Sequence, residues 1–224
     1  MKRQKIVSPR PDICRTCSGL LVILKKFNNE ARMNYDVIYD FLIELDRLKG
    51  VYRRSFLSDH SRNENSAEHS WHLAVAVMML HRGIPDEIDL VKTLQMALVH
   101  DICEIGAGDI SVYDKGRNQI QASEKEYLVQ LNERFPGPFT RELLSLWEEY
   151  EAQESPESRW VKVFDRLLPF CLNLATEGRS WKEQKVRKDQ VLAVHEPIKR
   201  QAPEMYAWVR KKTAYAVAKG WLEE

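Results

Sequence analysis

The chain has 224 residues, 44% hydrophobic and 30% charged, an ordinary globular balance with enough length for one full-sized core. Its 34 lysines and arginines nearly cancel 33 aspartates and glutamates, a net charge of +1, so no global field marks a nucleic-acid or membrane partner. No run approaches the roughly 20 apolar residues that span a bilayer, and four cysteines make no disulfide framework, so a cytoplasmic location is expected. A small anionic substrate stays open, because one or two local arginines would suffice for it.

Residues 1 to about 33 hold much of the early charge and no clear helix, and Met33 stands just before the first convincing one. They are expected to form an N-terminal extension, flexible or outside the native fold, with the domain proper at 34–224. Inside the extension, Cys14-x-x-Cys17 lacks the second ligand pair of a structural zinc site and the βαβ setting of a redox motif. Its spacing is read as chance.

YDVIYDFLIELDRLKG, Tyr35 to Gly50, places Ile38, Leu42, Leu45 and Leu48 on one helical face and ends at a glycine. The polar, turn-rich VYRRSFLSDHSRNEN that follows reads as a loop. A second helix starts near Asn65, with Glu68 at capping-box spacing, and runs to about Arg82. It is apolar nearly all round, which marks a central helix. A third, Ile88 to Ile105, is also largely buried and is stopped by Gly106 and Gly108. After the loop GAGDISVYDKG, helical pattern covers about Gln119 to Phe135, breaks at Pro136-Gly137-Pro138 and returns from Thr140 to Gln153. Ser155-Pro156 has the form of an N-cap with proline at the first helical position, opening a helix to about Glu177. Pro169 inside it predicts a bend or break just after Asp165. Two segments, about Lys188 to Gln201 and Glu204 to Lys219, follow. With almost no strand signal and no repeat, the expected fold is all-α, a single compact bundle of about seven or eight helices.

The polar residues inside those apolar helices carry the chemistry. His100 and Asp101 are adjacent in the third helix, and alone they could be a carboxylate satisfying an imidazole in the core. Glu104, three residues after Asp101, adds a third ionisable group within a turn. Each would cost several kcal/mol unpaired, whereas a divalent cation compensates several together. His69 opens the second helix, and Asp165 sits in WVKVFDRLLPF, where apolar neighbours argue that its carboxylate faces inward. Two imidazoles and two carboxylates from three helices suit an open-sided transition-metal site better than a closed structural zinc site.

His69, His100-Asp101 and Asp165 on an all-α background resemble the H…HD…D signature of the HD-domain metal-dependent phosphohydrolases. RNENSAEHS, ALVHDICEIGAGDI and VKVFDRL are similar to the 5′-deoxynucleotidase (YfbR-like) branch, and the likeness covers roughly Tyr35 to Leu222. That resemblance implies one divalent metal ion (Mn, Co, Fe, Ni or Zn) on His69, His100, Asp101 and Asp165. Glu104 is implied as the acidic residue that works on the water or the leaving oxygen. Asp109, with Ile110, Ser111 and Val112, would line the nucleoside pocket, Asp109 meeting a sugar hydroxyl. Arg53 matches a phosphate-binding arginine if one inserted residue is allowed before His69, and Arg54 stands where the branch has an aromatic residue. His72 is not required by the pattern and is read as packing or support. Cys103 is read as a small buried filler.

The expected activity is therefore hydrolysis of phosphate from a nucleoside 5′-monophosphate. The alternatives are another phosphoester, such as a nucleoside triphosphate or an alarmone, or a non-catalytic nucleotide-binding module held by its metal. The expected partner is a small nucleotide, with no nucleic acid and no membrane, and a homodimer is left open.

Overall fold

The computed structural model describes residues 34–114 and 117–224. The expectations placed on the first 33 residues, an extension and the Cys14–Cys17 spacing, lie outside the described residues. The chain divides into two units, Met1–Asp40 and Phe41–Glu224. The described part of the first is the start of helix α1 (Tyr35–Asp46), where Asn34 Oδ1 accepts the Asp36 amide at 3.0 Å.

In the second unit α1 tightens into a 3₁₀ turn at Arg47–Gly50. The stripe expected on α1 is covered at Leu48, which is 6% exposed, and half-buried at Ile38 and Leu45, but Leu42 is 58% exposed and Glu44 is buried in its stead. Glu44 accepts from Tyr127 Oη and Arg134 Nη1, both at 2.9 Å, and from Arg47 at 2.5 Å. Three donors on one carboxylate hold Glu44 in the covered face beside Leu45 and Leu48.

The segment read as a loop contains a two-stranded antiparallel ribbon, β1 (Tyr52–Phe56) with β2 (Asn63–Asn65). Tyr52 lies opposite Asn65 and Phe56 opposite Asn63, with an irregularity between them. The strand signal is weak because the inward-facing positions of β1 are the polar Arg53 and Ser55, with apolar Phe56 buried only at its end.

Helix α2 (Ser66–Leu80) starts with the expected capping box: Asn65 Oδ1 accepts the Glu68 amide at 2.9 Å, and Glu68 Oε2 accepts the Asn65 amide at 3.1 Å. Next come α3 (Leu90–Val99), capped by Asp89, and the four-residue α4 (Glu104–Ala107). The further helices are α5 (Arg117–Arg134), α6 (Pro138–Ala152), α7 (Pro156–Ala175), α8 (Arg179–Gln184), α9 (Lys188–Val194), α10 (Glu196–Gln201) and α11 (Pro203–Ala218). The fold is all-α apart from the ribbon. Seven of its described helices have ten or more residues, and the short ones arise mainly where expected helices are interrupted.

Ser155 caps α7 as expected, its Oγ accepting the Ser158 amide at 3.2 Å. The break expected at Pro169 is absent: α7 runs unbroken to Ala175. The core sits where α2, α3 and α7 meet, on Leu73, Val77, Met96, Ala97, Val161 and Phe164, each 2% exposed or less. Among the described residues no helix is long and apolar enough to cross a membrane.

Candidate active site

The expected third helix is interrupted at its chemistry. α3 ends at Val99, and residues 100–103 wind down in a tighter turn before α4. Ile102 N bonds Val99 O at 3.1 Å and Glu104 N bonds Asp101 O at 3.0 Å, both three residues back. Three-residue winding eclipses positions i and i+3, so Asp101 and Glu104 stack on one side. The Ala97 carbonyl, freed from the helical ladder, accepts His100 Nδ1–H at 3.0 Å. That bond fixes the ring and leaves Nε2 as its outward nitrogen.

His69, His100 and Asp101 each offer one ligand atom, and these atoms lie within 4.8 Å of one another. His100 Nε2 is 3.0 Å from Asp101 Oδ1 and 3.7 Å from Asp165 Oδ1, yet among the described residues it has no hydrogen-bond partner. His69 Nε2 is 3.1 Å from Asp165 Oδ1. Tyr150 Oη donates to the other oxygen of Asp165 at 2.8 Å. Glu64 Oε2 stands 3.6 Å from His69 Nδ1, and both atoms are buried with no hydrogen-bond partner among the described residues. Two imidazoles, two adjacent carboxylates and a fixed imidazole with an unused nitrogen fit a divalent metal ion.

Arg53 reaches this cluster from β1. Its Nη1 donates to Asp101 Oδ2 at 2.7 Å and lies 3.7 Å from Glu104 and 3.8 Å from Asp109, while Nε is 3.8 Å from Glu64. Ser66 Oγ donates to Glu104 Oε2 at 2.5 Å. Arg54, the next residue of the strand, is exposed.

The electrostatics separate the carboxylates into two kinds. Burial opposes the charge on Asp101, but His100 and Arg53 hold its carboxyl well below the usual range. Burial likewise opposes Asp165, and Arg166 with the two imidazoles holds it low. Burial lowers the His100 imidazole, but the Asp101 and Asp165 carboxylates outweigh it and raise the group to about 10. Glu104 goes the other way: burial first, then the charges of Asp101 and Asp109, push it well above the ordinary value despite Arg53 and Ser66. Burial and Asp101 raise Asp109 too, against Arg53. Neighbouring acids driven apart in this way can hold a cation on one and move a proton on another.

The cluster opens on a cleft of about 120 Å³. Ile110, Ser111 and Val112 line it beside Asp109, so the expected nucleoside segment faces one space with three of the expected ligands, His100, Asp101 and Asp165. His72 does not join the cluster; it lies on α2 with its ring 6.3 Å from that of Trp71. Cys103 is buried, its thiol directed to the His100 carbonyl. Sequence reasoning missed Glu64, Ser66, Tyr150 and Arg166. Ser66 and Glu64 flank Asn65 in the quoted motif, but their contacts span the fold and leave no local pattern.

A family profile described as HD domain matches residues 45–206. The human protein named 5′-deoxynucleotidase HDDC2 is 31% identical over 131 residues, which are 58% of this chain and 63% of that protein. The chain thus spans less than two thirds of that relative's length. The Schizosaccharomyces pombe 5′-deoxynucleotidase hdd1 is 23% identical over 193 residues, 84% of this chain and 87% of that one. Among solved structures, a predicted metal-dependent phosphohydrolase from Magnetospirillum magnetotacticum MS-1 aligns with a TM-score of 0.79 at 33% identity, covering 85% of this chain and 96% of that chain. A conserved hypothetical protein from Pyrococcus furiosus, 23% identical with a TM-score of 0.54, shares the fold.

Proposed function

The chain belongs to the HD-domain family, and from that premise we propose that it is a metal-dependent phosphomonoesterase acting on nucleoside 5′-monophosphates, deoxynucleotides among them. One observation carries the reading: buried ligand atoms of His69, His100 and Asp101 converge within 4.8 Å beside a cleft that Glu104 also lines. The relatives named 5′-deoxynucleotidases support the substrate class.

His69, His100, Asp101 and Asp165 would hold one divalent ion, Mn, Co, Fe, Ni or Zn. Such an ion polarises a phosphate oxygen and lowers the pKa of bound water. Arg53 and Arg54 bring positive charge to the phosphate, and Arg53 also keeps Asp101 ionised. Glu104, lining the cleft on the same side as Asp101, would relay a proton between the attacking water and the ester oxygen. Ser66 orients it through the 2.5 Å hydrogen bond. Asp109 accepts from a sugar hydroxyl, and Ile110, Ser111 and Val112 cover the nucleoside. Free Cys103 and Cys171 suit a reducing compartment, and the cytoplasm is the proposed location.

The test is phosphate release from every ribo- and deoxynucleoside monophosphate, with each divalent metal added in turn. Turnover of monophosphates above triphosphates supports the reading. Turnover of triphosphates alone, or nucleotide binding without release, contradicts it.

A further inference from the structure

Four cationic side chains line the cleft: Arg53, Arg54, Lys162 and Arg166. Three of them have evident partners. Arg53 is shared among four carboxylates, with its shortest bond, 2.7 Å, to Asp101. Lys162 Nζ lies 3.7 Å from the Tyr150 ring centroid and 3.6 Å from Glu151 Oε1. Arg54 is exposed, so water serves it.

Arg166 differs. It is only 9% exposed, and its nearest carboxylate oxygen, Asp165 Oδ2, is 3.6 Å from Nη1, too long for a hydrogen bond. That oxygen already accepts from Tyr150 Oη. Among the described residues the Arg166 guanidinium therefore has an ion pair and no hydrogen bond. Five N–H donors in a fixed fork, mostly withdrawn from water, call for a planar or tetrahedral oxyanion. The lining beyond Arg166 continues to His195, which is 2% exposed. His195 Nδ1 donates to the Val191 carbonyl at 2.6 Å, leaving Nε2 buried without a partner. This lobe thus offers a donor fork with a buried imidazole behind it.

We propose that Arg166 is a phosphate anchor of this cleft, taking oxygens of the substrate's phosphate in charge-assisted hydrogen bonds beside the proposed metal ligand Asp165. The proposal deepens the phosphomonoesterase reading and rests on it for the substrate. The H…HD…D pattern supplies no such residue. Arg53 already shares its charge with surrounding carboxylates and Arg54 is exposed at the rim, so Arg166 is the buried guanidinium of the cleft with a hydrogen-bonding fork still to be filled. Among the described residues Arg166 shares its charge with a single carboxylate within 4 Å.

The test compares the full-length protein with Arg166→Gln and Arg166→Lys, each loaded with Mn²⁺ and assayed for metal content. Binding of inorganic phosphate is measured by calorimetry, and KM and kcat are measured separately for a deoxynucleoside monophosphate. Arg166→Gln should weaken phosphate binding about 10- to 150-fold while retaining metal. Arg166→Lys, which keeps the charge without the fork, should recover part of that loss. Unchanged phosphate affinity in Arg166→Gln overturns the proposal. So does metal loss in both variants that accounts for the weaker binding, which would make Arg166 a support for Asp165. If the unmodified protein hydrolyses no nucleotide yet binds phosphate through Arg166, the anchor stands and the hydrolase reading falls.

Discussion

His69 Nε2 lies 3.1 Å from Asp165 Oδ1 across 96 positions of sequence, and this contact joins the first turn of α2 to the middle of α7. The winding between α3 and α4 brings His100 and Asp101 to the same point. An ion shared there would tie three separate elements together, so it should bind the native state alone. Mass action then gives about 2.7 kcal/mol at a hundredfold excess over the dissociation constant. Chelation should lower the Tm, and added Mn²⁺ or Co²⁺ should restore it. A melt that does not move after verified metal removal would separate His69 from Asp165 as ligands of one ion.

Arg53 should matter to stability as well as to substrate. Its side chain is 10% exposed and faces Glu64, Asp101, Glu104 and Asp109. Removing one member of a buried charge network costs roughly 3–5 kcal/mol, because the partners remain buried and uncompensated. Arg53→Ala should lose about that much in urea unfolding, whereas exposed Arg54→Ala should stay within about 0.5 kcal/mol. Equal and small losses from both would assign Arg53 to the substrate alone.

His195 supplies a pH dependence independent of the metal cluster. Burial depresses its imidazole to about 4, against an ordinary value of 6.5. The unfolded chain therefore binds the proton first. Stability from the neutral ring is fully present above pH 6.5 and is lost as pH falls towards 4, by roughly 3 kcal/mol over that window. His195→Gln should flatten this part of the stability-versus-pH curve relative to the unmodified protein. Parallel curves for the two proteins between pH 4 and 6.5 would contradict the depressed value.

Much of the scaffold is legible in the residues because its signals are local. The Asn65–Glu68 capping box, the Ser155-Pro156 start and the stop at Gly108 each act within a turn, whereas Gly106, also expected as a stop, lies inside α4. The burial of Glu44 on α1 and the β1–β2 ribbon are not legible. Both involve buried charges with distant partners: Glu44 with Arg134, and Arg53 with Asp101. The same division runs through the site. Adjacent His100 and Asp101 are visible as a pair, and their tight turn still brings Glu104 alongside, although the helix expected to carry all three stops at Val99. Tyr150 and Arg166 gain their meaning only from the side chains folded against them.

The most direct measurement of the central claim is phosphate release from deoxynucleoside monophosphates by the unmodified protein, Asp101→Ala and Glu104→Gln. Metal content and nucleotide affinity are followed on the same preparations. The account predicts metal-dependent release by the unmodified protein, and loss of metal and activity together in Asp101→Ala. Glu104→Gln should keep metal and bind nucleotide while turnover falls by about 10²- to 10⁴-fold, the usual scale of a proton-transfer group. Unchanged turnover in Glu104→Gln, or no release by the unmodified protein with any divalent metal, would contradict it.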